Sequence, residues 1–261
     1  MKRAGNITIF SSLIIFLLAE LSCHPKPSQP DALIVAVAAN LSGIFQELSR
    51  DYEKLTGSHL TLSIGATLSL AQQLRHGAPF DLFVSADKET PLRLSKEGHL
   101  IPKTVKVYAR GRLVVWVPTS KNTSVEKLED LLRSKVVHIG IASPQIAPYG
   151  KRAQESLEAL GLWKKLLPKI VFGGHVKQVQ QYAVSRNVEA AFLPLSLVPS
   201  IGGQFFLVDE QLYSPLDQAL GVVTSSHNQE KAQQLADFVL STQGQAFLKQ
   251  AGYHTEEKVN P

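Results

Sequence analysis

The sequence predicts an α/β fold of two lobes, with mainly parallel sheets flanked by helices. Three observations predict it. Short apolar runs of strand length alternate with segments of helical periodicity from residue 32 onward. There are too many such elements, about ten strands and eight helices, for one sheet. Polar or Pro/Gly-bearing segments at Arg110-Gly111-Arg112 and Ser214-Pro215-Leu216 offer two places where the chain can cross between lobes of ordinary domain size.

The elements follow in order. LIVAVA at 33–38 is continuously apolar, as in a strand covered on both faces. Leu41, Ile44, Phe45, Leu48, Tyr52 and Leu55 recur at helical spacing until Gly57 stops the helix. Strands are predicted at 60–64 and 80–84, with a helix at 68–76 between them and another carrying Leu92 and Leu94. The second set begins with LVVWV at 113–117, closed by Pro118. It continues with strands at 136–142, 170–172 and 190–193 and helices at 148–160 and 176–185. A strand at 219–224 and helices at 230–241 and 243–250 complete the chain. One lobe is thus expected to hold residues 32–110 plus 217–261, the other 111–216, with two crossing strands as a hinge.

Residues 1–22 read as an export signal. Lys2 and Arg3 precede a thirteen-residue run at 7–19 that is too short to span a bilayer. Cys23, the sole cysteine, follows directly and has the position of a lipid-attachment residue. Residues 23–31 contain Pro25, Pro27 and Pro30, a stiff spacer. Removing Lys2, Arg3 and Glu20 takes the formal charge from +5 to +4. The expected location is the periplasm or cell surface, with the lipid as the only membrane contact.

Several chemistries are excluded by composition. One cysteine cannot build a disulfide framework or a multi-cysteine metal site. The eight histidines, at 24, 59, 76, 99, 138, 175, 227 and 254, show no compact ligand spacing. No nucleophile elbow, phosphate loop or Gly-x-Gly-x-x-Gly occurs. Charges are interspersed, so no nucleic-acid groove is expected. No cofactor, direct metal ligand or catalytic residue is expected either.

What recurs is a strand ending in a small polar residue before a helix: Asn40, Thr67, Ser85 or Asp87, Pro148-Tyr149-Gly150, and His175-Val176. In open α/β sheets ligands bind at such strand ends. Helix N-termini offer unpaired N–H groups and partial positive charge, so several converging make an anion site without formal charge. Each junction alone is better read as an ordinary cap, Asp87 above all, since a carboxylate would repel an anion; only the set together points to a ligand.

The segments LIVAVAANL (33–41), DYEKLTG (51–57), SLAQQLRHGAPFDLFVSAD (69–87), GRLVVWVP (111–118), SPQIAPYGKRAQESLEALGLW (143–163), HVKQVQQYAVSRN (175–187) and FVLSTQGQAFLKQAGY (238–253) together resemble the molybdate-binding component of bacterial ABC transporters. The resemblance implies a monomeric, non-enzymatic binding protein of the type II periplasmic-binding-protein fold. It would hold molybdate or tungstate between its lobes and deliver it to a membrane permease. Carried over position by position, the oxyanion ligands fall on Asn40 and Thr67, where the family has serines. The others fall on Tyr149, where it usually has Ala, on Val176, and on Pro194, where it has Tyr. Pro194 offers neither hydroxyl nor N–H, and the Tyr149 hydroxyl is the candidate to fill that gap. Alternatives are another oxyanion such as sulfate, or a small organic anion. An acid–base enzyme using His175 with Asp81 or Asp87, and a membrane-tethered sensor, are further classes.

Overall fold

The computed structural model describes residues 32–119 and 125–255. The segment read as an export signal, Cys23 and the prolines that follow it lie outside the described residues. Two five-stranded sheets organise the chain. The first is built by β1 (Leu33–Ala38), β2 (Leu60–Gly65), β3 (Leu82–Val84), β4 (Lys106–Arg110) and β10 (Asp217–Val222), in the order β2-β1-β3-β10-β4. The second uses β5 (Leu113–Val117), β6 (Ile139–Ala142), β7 (Ile170–Gly173), β8 (Ala190–Pro194) and β9 (Gln204–Leu207), in the order β7-β6-β8-β5-β9.

Both sheets are mixed but mainly parallel, as expected: in each, four of the five strands point the same way and one runs against them. β1 runs parallel to β2 and β3, and β6 parallel to β7 and β8. The strands beside the crossing segments run the other way: β10 against β3 and β4, and β5 against β8 and β9. Each crossover delivers the chain to its new sheet from the opposite end, which reverses its direction there.

Hydrophobic patterning explains the layers. β1 is buried along nearly its whole length because helices cover both faces. α1 (Ser42–Thr56) buries Ile44, Phe45, Leu48 and Tyr52, one stripe of a 3.6-residue period. α2 (Thr67–Arg75) buries Leu70, Ala71 and Leu74, and α3 (Glu89–Lys96) buries Leu94. Around the second sheet lie α4 (Pro148–Ala159), α5 (Trp163–Leu166) and α6 (Val176–Val184). α7 (Gln229–Leu240) and α8 (Thr242–Gln250) return to the first sheet, where Leu235, Val239 and Leu248 join Leu33, Val35 and Phe45 in one core. At roughly 1.5–3 kcal/mol for each fully buried large apolar side chain, such clusters hold each sheet to its own helices.

The two crossing segments lie side by side, Gly111 N–H donating to the Leu216 carbonyl at 3.0 Å. Asp217 anchors them, accepting from Arg110 Nε at 2.6 Å and from Lys88 Nζ at 2.7 Å. Burial alone would raise its pKa, but these two cations outweigh it and hold the carboxyl below the usual range.

Candidate functional site

Four helix starts border one small cleft. After β1 the chain makes a 3-10 turn, Ala39–Leu41, that carries Asn40 into α1. β2 ends at Gly65 and Ala66 leads into Thr67, the first residue of α2. On the opposite wall Pro148 opens α4 and His175 caps α6. Asn40, Thr67, Tyr149, His175 and Val176 all line this cleft, with Ala38, Ala39, Gly65, Ala66, Ala86, Ala147 and Pro148 between them. No Lys, Arg, Asp or Glu is among the lining residues. The first N–H groups of each helix have no intrahelical acceptor. Pro148 at the first position has no N–H, so the leading donor of α4 is that of Tyr149.

Local packing fixes these starts. Gly150 lies so close to the end of β6 that a Cβ there would sit 1.9 Å from the Ala142 carbonyl oxygen. Only glycine lets α4 begin at that point. Thr67 Oγ1 accepts from Ala86 N–H at 3.1 Å, so its own hydroxyl hydrogen is available elsewhere. His175 Nδ1 accepts from Gln178 N–H at 3.2 Å, which puts the imidazole hydrogen on Nε2. Burial, aided by the charge of Lys177, lowers its pKa, so the ring is a neutral donor.

Of the five sequence-predicted ligand positions, four come together and Pro194 does not. Pro194 ends β8 opposite Leu113 and lies outside the cleft lining. Asn40 does not cap α1. Its Nδ2 donates to Gln218 Oε1 at 2.9 Å and to Tyr253 Oη at 2.7 Å, while Oδ1 is buried with no partner among the described residues. Tyr149 is buried and does not point to solvent. Its hydroxyl accepts from Gln218 Nε2 at 3.0 Å and packs against Gly111, where a Cβ would sit 2.0 Å from it. Burial drives the Tyr149 pKa well above the ordinary phenol range, and that of Tyr253 up to about 12.

Sequence reasoning missed Gln218, Tyr253, Tyr108 and Ser196. Tyr108 Oη contacts Gln218 Oε1 at 2.9 Å and donates to the Ser85 carbonyl at 2.6 Å. Ser196 Oγ donates to the Asn40 carbonyl at 3.1 Å. The one available signal was Gln218 itself, a polar residue within an apolar crossing strand.

The carboxylates considered for acid–base work serve the fold. Asp81 accepts from Ser226 Oγ at 2.6 Å and Ile34 N–H at 2.7 Å. Asp87 accepts from Thr90 N–H at 2.8 Å and from Ser85 Oγ at 3.1 Å. Neither lines the cleft. No group of three potential metal-ligating side chains occurs among the described residues.

A two-lobed α/β frame with helix N-termini facing across a cleft defines a solute-binding protein. The family model for "Bacterial extracellular solute-binding protein" matches residues 33–254, and the chain belongs to that family. It is similar to the molybdate-binding protein ModA of Azotobacter vinelandii, with 34% identity over 249 residues, 93% of this chain and 97% of that one. It is also similar to the putative ABC transporter substrate-binding lipoprotein YvgL of Bacillus subtilis, with 26% identity over 259 residues, covering 95% and 98%. The solved structure of the A. vinelandii periplasmic molybdate-binding protein superposes with a TM-score of 0.81 at 28% identity, covering 86% of this chain and all of that one.

Proposed function

We propose that this protein captures molybdate or tungstate in the cleft and delivers it to an ABC permease in the membrane. The observation that carries the reading is the convergence of four helix starts on a cleft with no charged side chain in its lining. A dianion taken from water must have its oxygens hydrogen-bonded. Each contact from a neutral donor to a charged oxygen contributes roughly 1.5–3 kcal/mol. Asn40, Thr67, Tyr149 and Val176 are the residues assigned to it, Tyr149 and Val176 through backbone N–H groups. With no cation to part from, the ion stays releasable. Donors mounted on packed helices cannot close onto a smaller oxyanion, which gives a size preference over sulfate.

Thermal unfolding with molybdate, tungstate, sulfate and phosphate tests the reading, because a ligand that binds only the folded state raises the midpoint by mass action. A rise with the first two, and little with the others, is expected. No rise with any would sink it, and a rise with sulfate alone would favour the sulfate alternative.

The protein works as a monomer held at the membrane through acylated Cys23, in keeping with the lipoprotein named among its relatives. A Cys23→Ser chain should leave the membrane fraction; its retention there would remove the anchor from the account.

A further inference from the structure

One buried chain of hydrogen bonds lies on the hinge side of the cleft and joins Tyr108, Gln218, Tyr149, Asn40 and Tyr253. Its protons can be counted. The Tyr108 hydroxyl has one hydrogen, and the Ser85 carbonyl at 2.6 Å can only accept, so the hydrogen lies there. Tyr108 then turns a lone pair to Gln218, and the Gln218 atom 2.9 Å away must be a donor. That same Gln218 atom faces Asn40 at 2.9 Å. If it is the NH2 group, the Asn40 atom opposite it must be the oxygen. That Asn40 atom also faces Tyr253 Oη at 2.7 Å, a length typical of O–H···O rather than N–H···O. The other end of Gln218 becomes the oxygen and accepts from the Tyr149 hydroxyl at 3.0 Å.

The heavy atoms need not move for this, because the two ends of an amide differ only in their hydrogen-bonding roles. The arrangement with Asn40 Nδ2 toward Gln218 and Tyr253 asks the single Tyr108 hydrogen to serve two acceptors and leaves a buried Asn40 oxygen without a donor. The reversed arrangement removes the first conflict. It converts the unpartnered Asn40 atom into an NH2 group, turned away from Gln218 and Tyr253, on a residue that lines the cleft.

We propose that Gln218, locked by Tyr108, is a positioning residue that turns the Asn40 amide NH2 into the cleft. This rests on the reading of the cleft as an oxyanion site, and it makes Gln218 the residue that keeps the Asn40 oxygen from serving as an acceptor for an anion that carries an O–H. Hydrogen phosphate is the discriminating probe.

Two measurements decide it. Neutron diffraction from perdeuterated, anion-free protein shows where the amide deuterons lie. The expected result is Gln218 ND2 between Tyr108 and Asn40, with Asn40 ND2 facing the cleft; the opposite orientation overturns the proposal. Calorimetry of Gln218→Met compares molybdate with hydrogen phosphate. The expected result is a fall of at least tenfold in the ratio of the two affinities, as Asn40 is freed to turn its oxygen inward. An unchanged ratio, with both affinities reduced alike, would make Gln218 a purely structural residue and overturn the proposal. If the parent protein binds no oxyanion, the functional reading fails, and the neutron maps still decide the amide orientation.

Discussion

The backbone N–H of Leu68, in the first turn of α2, donates to the Ile146 carbonyl ahead of α4 at 3.1 Å. This bond joins the helix starts of the two lobes directly across the cleft. Ser196 to Asn40 makes a second such tie, and buried Arg152 on α4 approaches Glu89 on α3 at 3.9 Å as a third. The helix starts of both lobes therefore face a common small space, and the side chains beside these ties are where substitutions should register.

Thr67 stands one residue before Leu68. Its oxygen accepts from Ala86, so the hydroxyl hydrogen is the part left for a ligand. Thr67→Val should weaken molybdate binding about 10- to 100-fold by calorimetry, the equivalent of one hydrogen bond to a charged partner. Thr67→Ser should restore most of it. Binding by the valine variant within twofold of the parent would exclude the hydroxyl as a ligand.

Tyr149→Phe should act mainly on stability. Its hydroxyl meets Gln218, and the group assigned to the anion is its backbone N–H. A loss of about 1 kcal/mol in denaturant unfolding is expected for one removed hydrogen bond, with molybdate affinity kept within about tenfold. A hundredfold loss of affinity at unchanged stability would instead place the phenol on the ligand.

Gly150→Ala should destabilise by roughly 1–3 kcal/mol, the range for overpacking a tight site, because the obstacle is the Ala142 backbone. Molybdate affinity should fall as well, since α4 and the Tyr149 N–H must shift together. Gly43→Ala is the control: nothing lies within 4 Å of its added methyl, and helix propensity favours alanine. Equal melting temperatures for the two variants would contradict the packing account.

His175 gives a pH dependence of defined sign. Its pKa is lowered from 6.5 in the folded chain, by burial first, so the unfolded chain takes up the proton more readily. The stability it confers is complete above pH 6.5 and declines as pH falls toward the depressed folded value. Melting temperatures of the anion-free protein between pH 8 and 5 should show this decline, and His175→Asn, which keeps an N-cap acceptor, should lack that component. Identical profiles would mean that the ring does not titrate differently on folding.

The alternation of strands and helices was legible because β1, β5 and β8 are buried on both faces and read as unbroken apolar runs. β4 and β9 were not singled out. They are edge strands with exposed positions, Lys106 and Val107 in one and Gln204 and Phe205 in the other, and their patterns are short and half polar. Strand direction beside the crossovers was not legible either, since periodicity carries no sign. Asn40, Thr67, Tyr149 and Val176 could be found because each sits at a strand-to-helix junction, a local feature. The partners of Asn40 could not: Gln218 and Tyr253 stand 178 and 213 residues away in the chain. Pro194 shows the converse limit, a position matched by resemblance whose side chain has no hydroxyl to offer.

The place of β10 bears on the order in which the molecule can be finished. It lies between β3 and β4, yet it is synthesised after every strand of the second sheet. Until residues 217–222 leave the ribosome, β3 and β4 have no neighbour to join them, whereas the five strands from 113 to 207 form an uninterrupted set. The half made of contiguous sequence can mature early, and the half made of both ends must wait. For a chain that crosses a membrane before it folds, that delay keeps part of the polypeptide threadable until β10 has followed the whole second sheet.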